Sequence, residues 1–455
     1  MQQQTFHNKM HSLKRVNLGG MVNYMYDNKY IIDASLNYVG VPSFSPDERF
    51  GLFPTVGAAW ILSENSFMRD SRWIDYLKIR ASYGVLGSTS YDDVGLVSSY
   101  YYRNEWQAAG TYEFSSFANI ARLTQTGNPH VGFQKSHEFN AGVDFESFNR
   151  SLRGSVGYFR NELEGGLANL NDMTPGVSGK GPALIWRNYK EFVSQGVEAE
   201  LYYTKRFGDW TLTAGGNLSY GYSDATREVD VDYPDELSGL RKIRRVGDVK
   251  GLQVIGTFAD EADIAASPTQ TYGTVYPGDL KYRDRNSDGI IDDRDKTEIA
   301  NIRPSLQYGI TIKVKYKNFN LDILGYGLGG FDRMLTNKYY QNFGERKYSN
   351  VLRDGLPNGN PHPILRASTT RNNFEASDYW VVDGGYFKLR NVELGYTLPH
   401  RISKKIGLNV LKIYVRGTNL FTISKIKDLD PECLNAGIAD FPLFTTITGG
   451  VTFSF

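Results

Sequence analysis

Apolar and polar residues alternate with a period of two through most of this 455-residue chain. That spacing sends successive side chains to opposite faces of a β-strand. Leu77, Ile79, Ala81, Tyr83 and Val85 share one face, and Lys78, Arg80, Ser82 and Gly84 share the other. The same parity sets Val16, Leu18, Gly20, Val22 and Tyr24 against Arg15, Asn17, Gly19 and Asn23. It sets Phe139, Ala141, Val143 and Phe145 against Glu138, Asn140, Asp144 and Glu146. Val197, Ala199, Leu201 and Tyr203 oppose Glu198 and Glu200; Tyr308, Ile310, Ile312, Val314 and Tyr316 oppose Thr311, Lys313 and Lys315; Leu411, Ile413 and Val415 oppose Lys412 and Arg416. The pattern predicts about thirteen strands, at 15–26, 29–40, 50–62, 75–86, 137–147, 151–161, 194–206, 209–223, 304–316, 319–331, 384–398, 409–421 and 445–455. One strand slips phase. Phe387 and Leu389 share a face, and Val392, Leu394, Tyr396 and Leu398 continue one step out, so an extra residue near Arg390-Asn391 predicts a β-bulge.

The connections alternate in length. Asp27-Asn28, Ser147-Phe148-Asn149-Arg150, Phe207-Gly208 and Lys317-Asn318 read as tight turns. Between them lie the long segments 87–136, 162–193, 224–303, 332–383 and 422–444. Short connections on one side and long ones on the other are the arrangement of an outer-membrane barrel, with periplasmic turns below and extracellular loops above. The 224–303 segment has room for one more strand. The chain ends on an alternating strand with Val451, Phe453 and Phe455 on its apolar face. Such an ending suits the closing strand of an outer-membrane barrel, where it serves as the assembly signal, and also an ordinary last strand of a soluble sheet.

Composition narrows the class. Mean hydropathy is −0.42 and no apolar run approaches the ~18 residues of a membrane helix. Half-polar barrel strands pass unseen on such a scale, so a transmembrane barrel stays open. Tyr 31, Phe 25 and Trp 6 make up 14% of the chain, a bias that suits aromatic girdles at a membrane interface. Net charge is +1, from 51 basic and 50 acidic residues, which gives no argument for nucleic acid. A single cysteine, Cys433, excludes internal disulfides and any CxxC site. The amino terminus, Met1-Gln2-Gln3-Gln4-Thr5-Phe6-His7, carries no basic and apolar leader. With an odd strand count, that points to sequence preceding Met1.

Catalytic motifs are missing: no HExxH, no GxSxG, and 176–181 lacks the spacing and the Ser/Thr of a phosphate loop. The sharpest local motif is Asp284-Arg285-Asn286-Ser287-Asp288-Gly289-Ile290-Ile291-Asp292-Asp293-Arg294-Asp295. It matches a calcium loop, with oxygen donors from Asp284, Asn286, Asp288, the Ile290 carbonyl and Asp292, and with Asp295 at the twelfth position. An Asx-rich turn without metal is the other reading. Lys78, Arg80, Glu138, Asp144, Glu198, Glu200, Lys412 and Arg416 are expected to line a water-filled lumen, where contact with a plug or substrate is the sharper alternative. Tyr100-Tyr101-Tyr102 and Tyr379-Trp380 could stack on sugars, cover a partner or simply pack.

Four segments carry a family resemblance. Tyr76-Leu77-Lys78-Ile79-Arg80-Ala81-Ser82-Tyr83-Gly84-Val85-Leu86-Gly87, Phe50-Gly51-Leu52-Phe53-Pro54-Thr55-Val56-Gly57-Ala58-Ala59-Trp60, the run from Asp383-Gly384-Gly385-Tyr386 to Tyr396-Thr397-Leu398-Pro399, and Tyr414-Val415-Arg416-Gly417-Thr418-Asn419-Leu420-Phe421-Thr422 followed by Asp430-Pro431-Glu432 stand in the order of the SusC/RagA class of TonB-dependent outer-membrane transporters. Over nearly the whole chain the sequence resembles that class, which also has a segment like 284–295. The resemblance implies an all-β, antiparallel transmembrane barrel of about 22 strands with a plug. Residues 1–455 would supply about thirteen of those strands, as the carboxy-terminal portion of the barrel, without plug or signal peptide and with 224–303 as a long extracellular loop region. The resemblance also implies a place in the outer membrane, import of oligosaccharides or peptides, a SusD-like surface lipoprotein as partner and the TonB complex reached only through the plug; calcium, from the loop motif at 284–295, is the one candidate cofactor. Two rivals stand beside it: a free-standing structural or adhesion barrel, and a soluble β-rich carbohydrate-binding protein.

Overall fold

A computed structural model describes residues 14–69, 71–89, 100–113, 117–170, 184–230, 233–341, 355–361, 371–436 and 438–455. The amino-terminal heptapeptide and the segment 176–181 weighed above lie outside these residues. Thirteen strands make up the main path of one sheet, which a side hairpin joins by a short parallel pairing of Gln125 and Thr126 with Leu184 and Ile185: β1 Val16–Tyr26, β2 Tyr30–Gly40, β3 Phe50–Ile61, β4 Ile74–Ser88, β5 Gln134–Ser147, β6 Leu152–Asn169, β7 Leu184–Phe207, β8 Trp210–Arg227, β9 Leu306–Tyr316, β10 Phe319–Gly329, β11 Tyr386–Thr397, β12 Val410–Ser424 and β13 Thr446–Ser454. Each pairs antiparallel with its chain neighbour, an up-and-down meander. All thirteen expected strands are present and in the expected order.

The tight turns sit where local chemistry puts them. Asp27 and Asn28 hold φ of 51° and 52°, and Lys29 N–H donates to Tyr26 O at 3.0 Å. Two left-handed central residues make a turn whose twist matches that of the flanking strands. Gly208 turns β7 into β8 at φ 56°, and Lys317 turns β9 into β10 at φ 50°. Phe148, Asn149 and Arg150, all left-handed, join β5 to β6.

The bulge is real and sits at Arg390. Leu389 pairs with Phe421 and Asn391 with Thr418, while on the other side Gly325 pairs with Leu389 and Leu324 with Asn391. Arg390 is the extra residue of β11 relative to β10, and on β12 the two residues Asn419 and Leu420 stand opposite it. The extra residue restores the apolar parity of Val392 and Leu394.

The apolar face of the sheet is bare. Ile79, Val143, Val156, Leu201, Ile310, Leu394, Val415 and Val451 are all exposed, although Ile79, Val143 and Val156 stand in direct cross-strand register. Packing cores lie instead among the long connections. Val39, Val41, Phe44, Phe53, Tyr101, Val131, Leu167 and Trp186 form one. Leu335, Tyr340, Leu356, Trp380, Val382 and Ile426 form a second, and Leu252, Leu280, Tyr282 and Ile291 a third.

The long side is more structured than alternation alone predicts. The segment 224–303 is not an open loop. It contains short ladders, Asp248–Gly251 with Thr297–Asn301 and Val254–Thr257 with Leu280–Tyr282, and among its described residues it adds no strand to the main sheet. A hairpin of Glu105–Glu113 and Phe117–Thr126 stands in the β4–β5 connection, and β6, β7 and β8 run well past their expected ends on this side. These extensions read as loop in sequence because neither of their faces is uniformly apolar. At ~3.3 Å per residue, the 24 residues of β7 exceed a ~30 Å hydrocarbon core, so the surplus projects beyond it.

Candidate functional site

The polar face of the sheet gathers most of the charges expected to line a lumen. Asp144 on β5 takes Lys78 Nζ at 2.9 Å and Arg80 Nε at 3.2 Å from β4, because the register places Lys78 directly opposite Asp144. Lys412 and Arg416 on β12 meet Glu393 on β11 at 2.6 and 2.5 Å. Glu393 escaped the sequence reading, although its position opposite Arg416 follows from the bulge-corrected register. Glu198 and Glu200 line a cavity of about 480 Å³ with Asn217, Ser219, Gln307 and Tyr326. Glu138 accepts a bond from Ser136 Oγ at 3.4 Å and joins none of these groups. At the carboxy terminus, Val451 pairs with Ile413 and Phe453 with Leu411, while Phe455 is exposed.

A second group of charges ties a long connection to the polar face. Lys388 on β11 is almost fully buried. Its ammonium donates to both oxygens of Asp430, at 2.6 and 2.7 Å, and to Glu432 Oε2 at 2.8 Å. The bulge residue Arg390 donates to Asn419 Oδ1 at 2.9 Å and to Glu432 at 3.3 Å. Tyr326 on β10 donates to Glu432 as well, and Arg333 Nη2 holds the carbonyls of Pro431 and Glu432 at 3.2 Å. The Asp430-Pro431-Glu432 segment is thus strapped inward. Burial works against ionising Glu432, but Lys388 and the Tyr326 hydroxyl outweigh it and hold the carboxyl below the usual glutamate range. Sequence showed these residues only as a family-like motif. The signal that could have found the strap is a lysine and an arginine on the polar parity facing an acidic connection.

The loop 284–295 has the backbone of its motif. Asp284 accepts from Ser287 N–H at 2.7 Å and from Gly289 N–H at 2.9 Å, with Gly289 at φ 77°. Asp295 is fully buried and accepts from Arg285 N–H and Asp292 N–H at 2.8 and 2.9 Å. The cation between Asp288 and Asp292 is the chain's own: Arg294 reaches them at 2.8 and 2.7 Å and keeps the Asp292 carboxyl below its ordinary value. Among the described residues no three His, Cys, Asp or Glu side chains converge as a metal-holding group.

The aromatic segments divide. Trp380 is fully buried in the second core and donates to Asn373 O at 2.9 Å, and Tyr101 packs against Trp186. Tyr100 remains partly open, with Arg103 lying 4.7 Å from its ring and 5.2 Å from that of Tyr102.

No family model matches the chain. Curated relatives do. The TonB-dependent receptor SusC of Bacteroides thetaiotaomicron is 27% identical over 460 residues, 96% of this chain and 43% of that protein. The TonB-dependent receptor P26 of Formosa agariphila is 26% identical over 439 residues, 92% of this chain and 42% of that protein. The chain therefore spans less than half the length of the curated relatives it matches. Among solved structures, the RagAB peptide importer in its closed-closed state superposes with a TM-score of 0.74 at 20% identity, over 97% of this chain and 48% of that one. The chain is a homologue of SusC-type TonB-dependent receptors, and it has the all-β, antiparallel barrel fold found in the matched half of the RagAB importer.

Proposed function

We propose that this chain forms a section of the wall of an outer-membrane barrel that imports oligosaccharides or peptides by a TonB-dependent route, together with a SusD-like surface lipoprotein. The observation that carries the reading is the bare apolar face of a thirteen-strand meander whose connections are short on one side and long and packed on the other. A soluble sheet buries such a face; a bilayer accepts it. The apolar face then meets outer-membrane lipid. The polar face, with Lys78, Arg80, Asp144, Glu198, Glu200, Lys412 and Arg416, lines the water-filled lumen, and the long connections face the cell exterior. Hydrocarbon does not tolerate unpaired strand edges, so the outer edges of β1 and β13 are paired in the membrane, by each other or by further strands. Both relatives and the matched importer are more than twice as long as the matched segment, which supports further strands and a coupling plug as carriers of the energy step.

Calcium at 284–295 belongs to this proposal only as a competitor of Arg294, because the guanidinium stands on two of the expected ligands. The import reading is tested by fractionation and uptake. The gene product should remain with outer membranes through alkaline carbonate and require detergent for release. Deletion should abolish growth on one class of oligomer, and the SusD-like lipoprotein should co-purify with the tagged protein. Release by carbonate alone would overturn the barrel; normal growth on every oligomer, with the protein in place, would favour the free-standing structural barrel.

A further inference from the structure

The connection between β8 and β9 encloses a cavity of about 620 Å³ with an unusual charge. The chain as a whole is balanced, 51 basic residues against 50 acidic. Among the described residues this cavity is lined by Arg241, Lys242, Arg244, Lys250, Arg285 and Lys296, against the carboxylates of Asp230 and Glu298. Its size is that of a small-solute site.

The cations divide into builders and free donors. Lys250 is a builder: its ammonium donates to the carbonyls of Ser238, Gly239 and Arg241 and staples that turn. Burial there pushes its pKa down. Arg241 is held by Tyr233 O and Asp235, and Lys296 by Asp293 at 2.7 Å. Lys242, Arg244 and Arg285 are exposed and make no side-chain ion pair among the described residues. Their backbones are fixed. Lys242 N–H donates to Asp230 at 2.7 Å, Arg285 N–H to Asp295 at 2.8 Å, and Arg244 O accepts from Ala225 N–H of β8 at 2.6 Å. The last bond, with Val246 N–H to Ser223 O at 2.9 Å, seats the cavity on the long-connection end of β8. Three charged donors on a rigid rim suit a solute presenting several anionic oxygens, since guanidinium and ammonium bonds to carboxylate or sulfate are the strong ones.

We propose that this cavity binds the carboxylate groups of a small oligoanionic solute, through Lys242, Arg244 and Arg285. The proposal takes its biological purpose from the import reading above and names the class of solute imported; the binding itself does not depend on TonB coupling.

The test uses the full gene product carrying this chain, purified in detergent, with trigalacturonate, triglutamate and neutral maltotriose as calorimetric probes. One of the two anionic probes should bind at least about tenfold tighter than maltotriose in low salt, and the winning arm tells sugar from peptide. The affinity should fall steeply as salt is raised to ~0.5 M. The triple variant Lys242→Gln, Arg244→Gln, Arg285→Gln should lose at least about tenfold for that probe, since the loss of even one charge-assisted bond is worth about that factor. Absence of binding by both anions, or binding insensitive to salt in the unaltered protein, overturns the proposal even if the variant fails to fold. Such a result leaves the import reading intact if the protein still sits in the outer membrane and supports uptake of a neutral oligomer.

Discussion

Lys388 shows how much one side chain can hold. Its own side chain is 2% exposed, while its partners Asp430 and Glu432 are 21% and 26% exposed. Removing one member of a buried pair costs ~3–5 kcal/mol; with partners a quarter open to water, about 2–3 kcal/mol is the expectation for Lys388→Met. Cys433, next to the strap and free, is a built-in reporter: in the variant a maleimide should label it faster at pH 7, and an unchanged rate would sink the strap. The pH dependence has a definite sign. Glu432 has a lowered carboxyl, so its contribution is present above the unfolded value near 4.3 and is lost as pH falls through the lower folded value. Protection of 425–436 against hydrogen exchange should therefore hold above pH ~4.3 and fall as the pH drops below that value. At the calcium-like loop, Arg294→Ala frees Asp288 and Asp292. Calorimetric calcium affinity should rise at least about tenfold over the unaltered chain, the removal of one internal competitor. Flat isotherms for both would remove calcium from this protein. Of the residue-level site, the loop motif and the polar parity were legible. Arg294 as resident cation was not, because sequence spacing fixes which side chains can converge but not which cation reaches them first.

The hairpins are the most transparent elements. Asp27-Asn28 and Phe207-Gly208 carry turn chemistry that any sequence reader recognises, and the structure uses it. Lys317, like Phe148 and Arg150, is an ordinary residue held left-handed, at φ 50°. A left-handed backbone costs an L-residue ~1–2 kcal/mol, so Lys317→Gly should stabilise the β9–β10 hairpin by about 1 kcal/mol after the entropy of glycine is subtracted. A rise in thermal midpoint in detergent checks it, and a fall would mean that the exposed Lys317–Asp209 contact outweighs the strain. The bulge at Arg390 was also visible, as a phase slip, because parity has no tolerance for one extra residue. The extensions of β6, β7 and β8 were invisible for the complementary reason: once a strand leaves the apolar band, both faces are wet and the period-two signal disappears.

Across the whole molecule the decisive property is which face meets which medium. An arginine on the lipid face of a barrel costs ~2–4 kcal/mol near the bilayer midplane, whereas the polar face already carries arginines. Val156→Arg should therefore lower the yield of assembled protein in the outer membrane sharply, and Ser219→Arg, on the polar cavity wall, should assemble at near-normal yield. Equal yields from the two would refute the assignment of faces, as gel shift with and without heating would show. Strand number, order, register phase and the long-short alternation were readable from the chain, because alternation, turn residues and phase slips are local and additive along it. Folding in three dimensions was needed to give the long connections their own cores, to strap Asp430-Pro431-Glu432 inward through Lys388 and Arg390, and to bring six cations scattered between residues 241 and 296 to one cavity. Those outcomes depend on which distant side chains share a volume, and no period in the sequence encodes a distance between loops.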